Sequence, residues 1–222
     1  MTVAVADVAA NLTGVRERIA AAGGDERVRV VAVTKGFGPD AVEAAVACGL
    51  HDVGENYAQE LEAKLRGLAV PRPCVHFIGR LQTNKVRHIA ALVDVWQSID
   101  RDSAAVEVAK RAPGATVLVQ VNVSEEAQKG GCSPHDTPAL VARCRDLGLA
   151  VVGLMTVGRT GEPAGARAGF RLLASLADRL GLAERSMGMT DDLEVAVEEG
   201  STMVRVGSAL FGPRPRPDAR AN

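Results

Sequence analysis

Aromatic residues are scarce in this chain: one Trp, one Tyr and four Phe make up 3% of 222 residues. The core must therefore be built from Ala, Val and Leu, a mixture that suits small-residue helices packed on branched strands. Charge of one sign is lacking too. With 26 basic against 27 acidic residues the formal net charge is −1, so no global field favours nucleic acid or an anionic membrane. No run approaches the apolar length of a membrane span. Segment 1–7 has neither a basic n-region nor a continuous apolar h-region. The four cysteines, Cys48, Cys74, Cys132 and Cys144, show no CxxC pairing and no zinc-site spacing. The expectation is a cytoplasmic chain with reduced thiols that serve as packing residues. Ser-His-Asp order, HExxH and a Walker loop are all missing, which leaves hydrolytic or metal chemistry without local support.

What is present is alternation. An amphipathic opening segment at 5–22 ends in Gly23-Gly24, and short apolar runs then alternate with helical stretches. The runs at 28–34, 51–54, 75–79, 95–99, 116–122, 151–156, 184–188 and 203–207 read as about eight strands of a parallel sheet built from βαβ units. Pro39 sits at a helix start and Gly49 at its end. The count fits a closed (β/α)8 barrel of the TIM type, preceded by one helix, better than an open sheet. Residues 1–212 are expected to form this single domain, and the Pro/Arg-rich segment 213–222 a disordered tail.

In such a barrel the carboxyl ends of the strands carry the ligand site. Lys35 closes the first strand there. An ammonium is costly to desolvate, so a lysine in that mouth tends to lose its proton and become a nucleophile for Schiff-base formation. A solvated lysine that merely follows a strand is the plain alternative. The turns 186–190 and 206–211, after the last two strands, suit a phosphate at a helix N-terminus, or simply tight chain reversal. Arg205 lies within the apolar strand 203–207, where a charge needs a partner. It reads either as a structural ion pair or as a fixed donor aimed into the mouth; a guanidinium there could hydrogen-bond a pyridine nitrogen without protonating it. His76 reads as a satisfied core histidine, Lys129 as a solvated loop lysine, and Asp191 and Asp192 as complements of a helix dipole.

Six segments then occur in order: Val33-Thr34-Lys35, Gly54-Glu55-Asn56-Tyr57, the run from His76 to Lys85, Gly153-Leu154-Met155, the run from Ser186 to Asp192, and the run from Gly200 to Gly207. Together they resemble the pyridoxal phosphate homeostasis proteins, which look like the barrel domain of alanine racemase standing alone. The likeness spans 28–212. It implies that Lys35 holds pyridoxal 5′-phosphate (PLP) as a Schiff base. It also implies that Ser186, Met187, Gly207 and Ser208 surround the phosphate, that Arg205 faces the pyridine nitrogen, and that Asn56 lines the pocket near the ring. Lys129 is the nearest match to a loop lysine that the family links to cofactor handling.

Two functional classes follow from that resemblance. One is a carrier that buffers or delivers PLP with little or no turnover, meeting apo PLP enzymes only transiently. The other is a racemase-like PLP enzyme. Two-base racemisation needs an acid/base on each face of the substrate, and racemases take the second one, a tyrosine, from a further domain. The only tyrosine here is Tyr57, at a helix start, where packing is its expected role. The expectation is therefore a monomeric carrier without catalytic residues, a weak racemase or transaminase side activity being left open. A Schiff-base aldolase without PLP would use the same lysine but would be colourless.

Overall fold

A computed structural model describes residues 2–124, 126, 129–159, 161 and 163–214. Eight parallel strands close into a barrel in sequence order. They are β1 (Arg29–Val33), β2 (Asp52–Glu55), β3 (Cys74–Phe77), β4 (Val95–Ile99), β5 (Thr116–Gln120), β6 (Ala150–Met155), β7 (Glu184–Ser186) and β8 (Met203–Val206). The seam is made by β1 and β8, with Arg29 opposite Met203 and Ala32 opposite Val206. The expected (β/α)8 architecture with a leading helix is thus the one observed. Among the described residues no helix is long and apolar enough to cross a membrane.

Helices α1 (Val5–Ala21), α2 (Pro39–Ala47), α3 (Ala58–Leu65), α4 (Thr83–Ile89), α5 (Asp102–Arg111), α6 (Thr137–Asp146), α7 (Arg167–Arg179), α8 (Leu193–Glu198) and α9 (Ser208–Phe211) surround the strands. The last of these is a single turn, too short to cover its own strand pair. Helix α1 does that instead. Its buried stripe of Val8, Val15 and Ile19 packs with Leu193, Val197, Leu210 and Phe211. Polar ties hold it there: Asn11 donates to Leu210 O at 2.9 Å, and Arg18 bonds Glu194 and Thr190 O. The remaining core is a larger cluster around Trp96, Phe170 and Leu173, fully buried large side chains in a mostly aliphatic interior.

The first strand ends earlier than the apolar run suggests. Thr34 N–H still joins the ladder, to Gly54 O at 3.1 Å, but Phe37 N–H then turns back onto Thr34 O. Gly36 takes φ 77° in that turn, a left-handed value that glycine adopts at little cost. Lys35 therefore stands in the turn above β1 rather than in the strand.

Candidate functional site

Three supports hold the turn that carries Lys35. Phe37 is buried against Phe211, ring centroids 5.3 Å apart. Gly36 N–H donates to Glu60 Oε2 at 2.9 Å. Beneath the turn lies Lys64, a buried lysine of α3 that sequence reasoning did not single out. Its Nζ donates to Thr34 O at 2.7 Å, to Glu55 Oε1 at 2.7 Å and to Glu60 Oε2 at 3.0 Å. Thr34 Oγ1 also donates to Glu55 Oε1, at 2.5 Å. Both residues flanking Lys35 are thus pinned by one ion-pair cluster. Burial raises the Glu55 carboxyl above its ordinary range, and Lys64 is the strongest influence opposing that rise.

Lys35 opens into a cavity of about 240 Å³ that also takes in Arg205, Gly207, Ser208, Arg214 and Asp191. Three cations therefore face it against one carboxylate, an excess that favours an anionic ligand. Burial, followed by the charges of Arg214 and Arg205, holds the Lys35 amine below its ordinary range, with Glu55 pulling the other way. A neutral, nucleophilic amine is accordingly reached at lower pH than for a free lysine. Arg214→Ala removes a like charge and should move the pH–rate midpoint for amine-directed labelling of Lys35 upward; a midpoint unchanged in peptide mass mapping would contradict this electrostatic account.

Arg205 is 4% exposed. Its Nη1 donates to Ser186 Oγ at 2.7 Å and its Nη2 to Thr156 O at 2.6 Å. Burial lowers its pKa to about 10, with Asp192 opposing, so it remains a cation at neutral pH. The buried charge is satisfied mainly by a hydroxyl and a carbonyl, and one side of it borders the cavity. Close approach of the chain matters at Gly207, where a Cβ would stand 3.2 Å from Val33 O. Ser208 Oγ donates to Thr190 Oγ1 at 3.1 Å.

The seven residues singled out in the sequence divide into two groups. Lys35, Arg205, Gly207 and Ser208 share the cavity, whereas Asn56, Ser186 and Met187 do not border it. Ser186 stands behind Arg205, buried within the barrel. Met187, one step on, points outward into the packed core beneath the helices, as strand alternation requires. Asn56 lines a neighbouring cavity of about 310 Å³ with Tyr57, Arg80 and Lys85; its Oδ1 is buried without a partner. Tyr57 is not packed as expected but 49% exposed, because it precedes the first turn of α3 in extended conformation.

Other expectations resolve individually. Lys129 is held rather than solvated, donating to Gly158 O and pairing with Glu126. Asp192, besides preceding α8, accepts the Met189 N–H at 2.6 Å. His76 is fully buried and satisfied. All four cysteines are free. Folding nevertheless brings Cys74 beside Asp52 and His76, their ligand-type atoms within 4.8 Å of one another, a grouping that linear cysteine spacing did not reveal. Burial, with Asp52 and Asp94 nearby, pushes the Cys74 thiol up to about 12. Residues 215–222 of the expected tail lie outside the described residues. Arg214, which was also placed in that tail, borders the cavity.

Comparison with known proteins decides the family. The alanine racemase N-terminal domain family matches residues 3–215. The pyridoxal phosphate homeostasis protein of Pseudomonas aeruginosa is 45% identical over 219 residues, covering 95% of this chain and 94% of that one. The chain belongs to the pyridoxal phosphate homeostasis protein family. Two solved structures share the family barrel. A crystal structure of an unknown protein from Bifidobacterium adolescentis is 34% identical, with TM-score 0.87, covering 93% of this chain and 95% of that one. PipY of Synechococcus elongatus, solved with PLP bound, is 30% identical, with TM-score 0.80, covering 92% and 100% respectively.

Proposed function

We propose that this protein holds pyridoxal 5′-phosphate as a Schiff base on Lys35 and buffers or delivers it, with little or no turnover. The observation that carries the reading is one half-buried lysine, its pKa depressed, sharing a cavity with Arg205 and Arg214. The donor set fits the group. PLP supplies an aldehyde for the amine, a dianionic phosphate and an electron-withdrawing ring. Lys35 would receive the aldehyde, and Gly207 and Ser208 would border the phosphate, where any side chain at 207 would crowd Val33 O. Arg205, which borders the same cavity, would face the ring nitrogen. As a cation held by Ser186 and Thr156, it donates a hydrogen bond but keeps its proton, leaving the ring a weak electron sink.

Racemase turnover would need a second base on the opposite face of the substrate. The only tyrosine, Tyr57, lines the neighbouring cavity instead. Among the described residues no tyrosine borders the Lys35 cavity, which favours the carrier over the racemase. We place the carrier in the cytoplasm as a monomer that meets apo PLP enzymes transiently. At saturating PLP, α-deuterium exchange and racemisation of alanine and serine should both be very slow, while PLP passes readily to an apo-enzyme acceptor. Rapid racemisation that vanishes in Lys35→Ala would make the chain an enzyme instead.

A further inference from the structure

A line of hydrogen bonds crosses the barrel interior behind Arg205, with one member from each of five strands. Arg205 Nη1 donates to Ser186 Oγ at 2.7 Å, and Ser186 Oγ donates to Gln97 Oε1 at 2.6 Å. Gln97 Nε2 lies 2.7 Å from His76 Nδ1, and His76 Nε2 lies 2.7 Å from Asp52 Oδ1. Ser186, Gln97 and His76 are fully buried. Asp52, its side chain 22% exposed, reaches water at the opposite rim. Ala32 pairs with Val53, so Asp52 sits four residues below Lys35 along the strands, roughly 13 Å.

The donors all run one way. Gln97 Nε2 also lies 3.0 Å from Met203 Sδ, an acceptor, which fixes the sense of the amide. With the N–H₂ of Gln97 toward His76, Nδ1 must accept, leaving the proton on Nε2 to donate to the Asp52 carboxylate. The Gln97 carbonyl then takes the Ser186 hydroxyl proton, and the Ser186 lone pairs are free for Arg205. A proton on His76 Nδ1 would reverse this order. Gln97 would have to turn its carbonyl to the imidazole and its amide N–H₂ to Ser186, whose hydroxyl would then accept from both amide and guanidinium and lose Gln97 Oε1 as its own acceptor.

We propose that Ser186, Gln97, His76 and Asp52 are positioning residues for Arg205: the Asp52 carboxylate selects the His76 tautomer, and that selection, passed through Gln97 and Ser186, fixes the guanidinium at the cavity. The proposal rests on the reading of that cavity as a PLP site. It also accounts for Ser186, which stands away from the cavity and acts on the ligand through Arg205.

Two readouts separate the relay from the PLP reading. In ligand-free protein labelled with ¹⁵N-histidine, His76 is expected as the neutral tautomer protonated at Nε2. Asp52→Asn, which keeps the shape but removes the selecting charge, is expected to bring in the Nδ1-protonated form. A wild-type His76 protonated at Nδ1, or a tautomer unmoved by Asp52→Asn, overturns the relay whether or not the protein binds PLP. In loaded protein, Ser186→Ala should shift the absorption maximum of bound PLP and weaken retention on the order of tenfold, the scale of one lost hydrogen bond; Ser186→Thr, which keeps the hydroxyl, should restore both. Asp52→Asn, a change at the water-exposed rim, should also shift the maximum, and it carries this arm if the added methyl of Thr prevents folding. A maximum and retention unchanged from wild type in Ser186→Ala and Asp52→Asn overturn the proposal. A wild type that binds no PLP refutes the carrier reading alone, and the tautomer measurement then decides the relay.

Discussion

Lys35→Ala is expected to purify colourless from cells in which the wild type purifies yellow, and to bind added PLP without forming a reducible adduct. Borohydride treatment of the wild type should fix the cofactor on the peptide containing Lys35. The expectation rests on the cavity: among the lysines that could compete, Lys64 is consumed by Glu55, Glu60 and Thr34 O, Lys129 is tied to Glu126 and Gly158, and Lys85 lines the neighbouring cavity. Lys35 combines partial burial with adjacent guanidinium groups that favour the neutral amine. Peptide mapping of the reduced protein checks this, and an adduct found mainly on Lys64, Lys85 or Lys129 would refute the assignment.

The largest effect on stability should come from Lys64→Met. It strands the Glu55 carboxylate, 1% exposed at its side chain, and removes a donor from Thr34 O beside Lys35. Breaking one partner of a buried pair costs about 3–5 kcal/mol, a fall in Tm on the order of 10 °C for a chain of this size. Adding Glu55→Gln should recover most of the loss, because no deeply buried unpaired charge then remains; Glu60, its side chain 35% exposed, keeps the Gly36 N–H and water. The pH dependence has a definite sign. Burial already raises the Glu55 carboxyl, and Lys64 is the main opposing influence, so the variant raises it further. A carboxyl whose folded pKa exceeds its unfolded one costs stability while ionised. The deficit should therefore shrink as pH is lowered, which thermal melts of both proteins across the acid range would show. A deficit independent of pH would mean that lost packing, not charge, dominates.

Much of the barrel was legible because its signal is local. Short Val-rich runs, each but the last followed by a helical stretch, point to a parallel sheet, and a count of about eight fits a closed barrel better than an open sheet. Lys35 and Arg205 stood out because a charge at the end of, or within, an apolar strand is conspicuous wherever it occurs. What stayed hidden depends on direction and distance. Ser186 and Met187 are adjacent in sequence, yet alternation sends one into the barrel and the other out to the helices. The partnership of Lys64 with Glu55 joins a helix to a strand, and nothing in the polar face of α3 distinguishes this lysine from its solvated neighbours. Gln97 and His76 read as ordinary strand residues until the barrel closes and sets them side by side.

The position of α1 has a consequence for the order in which the molecule can assemble. Synthesis runs from α1 onward, but besides the early α2 the partners of α1 are α8 and α9, and β1 remains an edge strand until β8 arrives. The apolar stripe of Val8, Val15 and Ile19 is thus made well before its burial can be completed. Contacts this distant in sequence are slow to form because a long loop must close before they are gained. The seam cannot be sealed until almost the whole described chain has left the ribosome. The turn bearing Lys35, braced by Phe211 from the far end of the chain, gains its aromatic brace only in that final step.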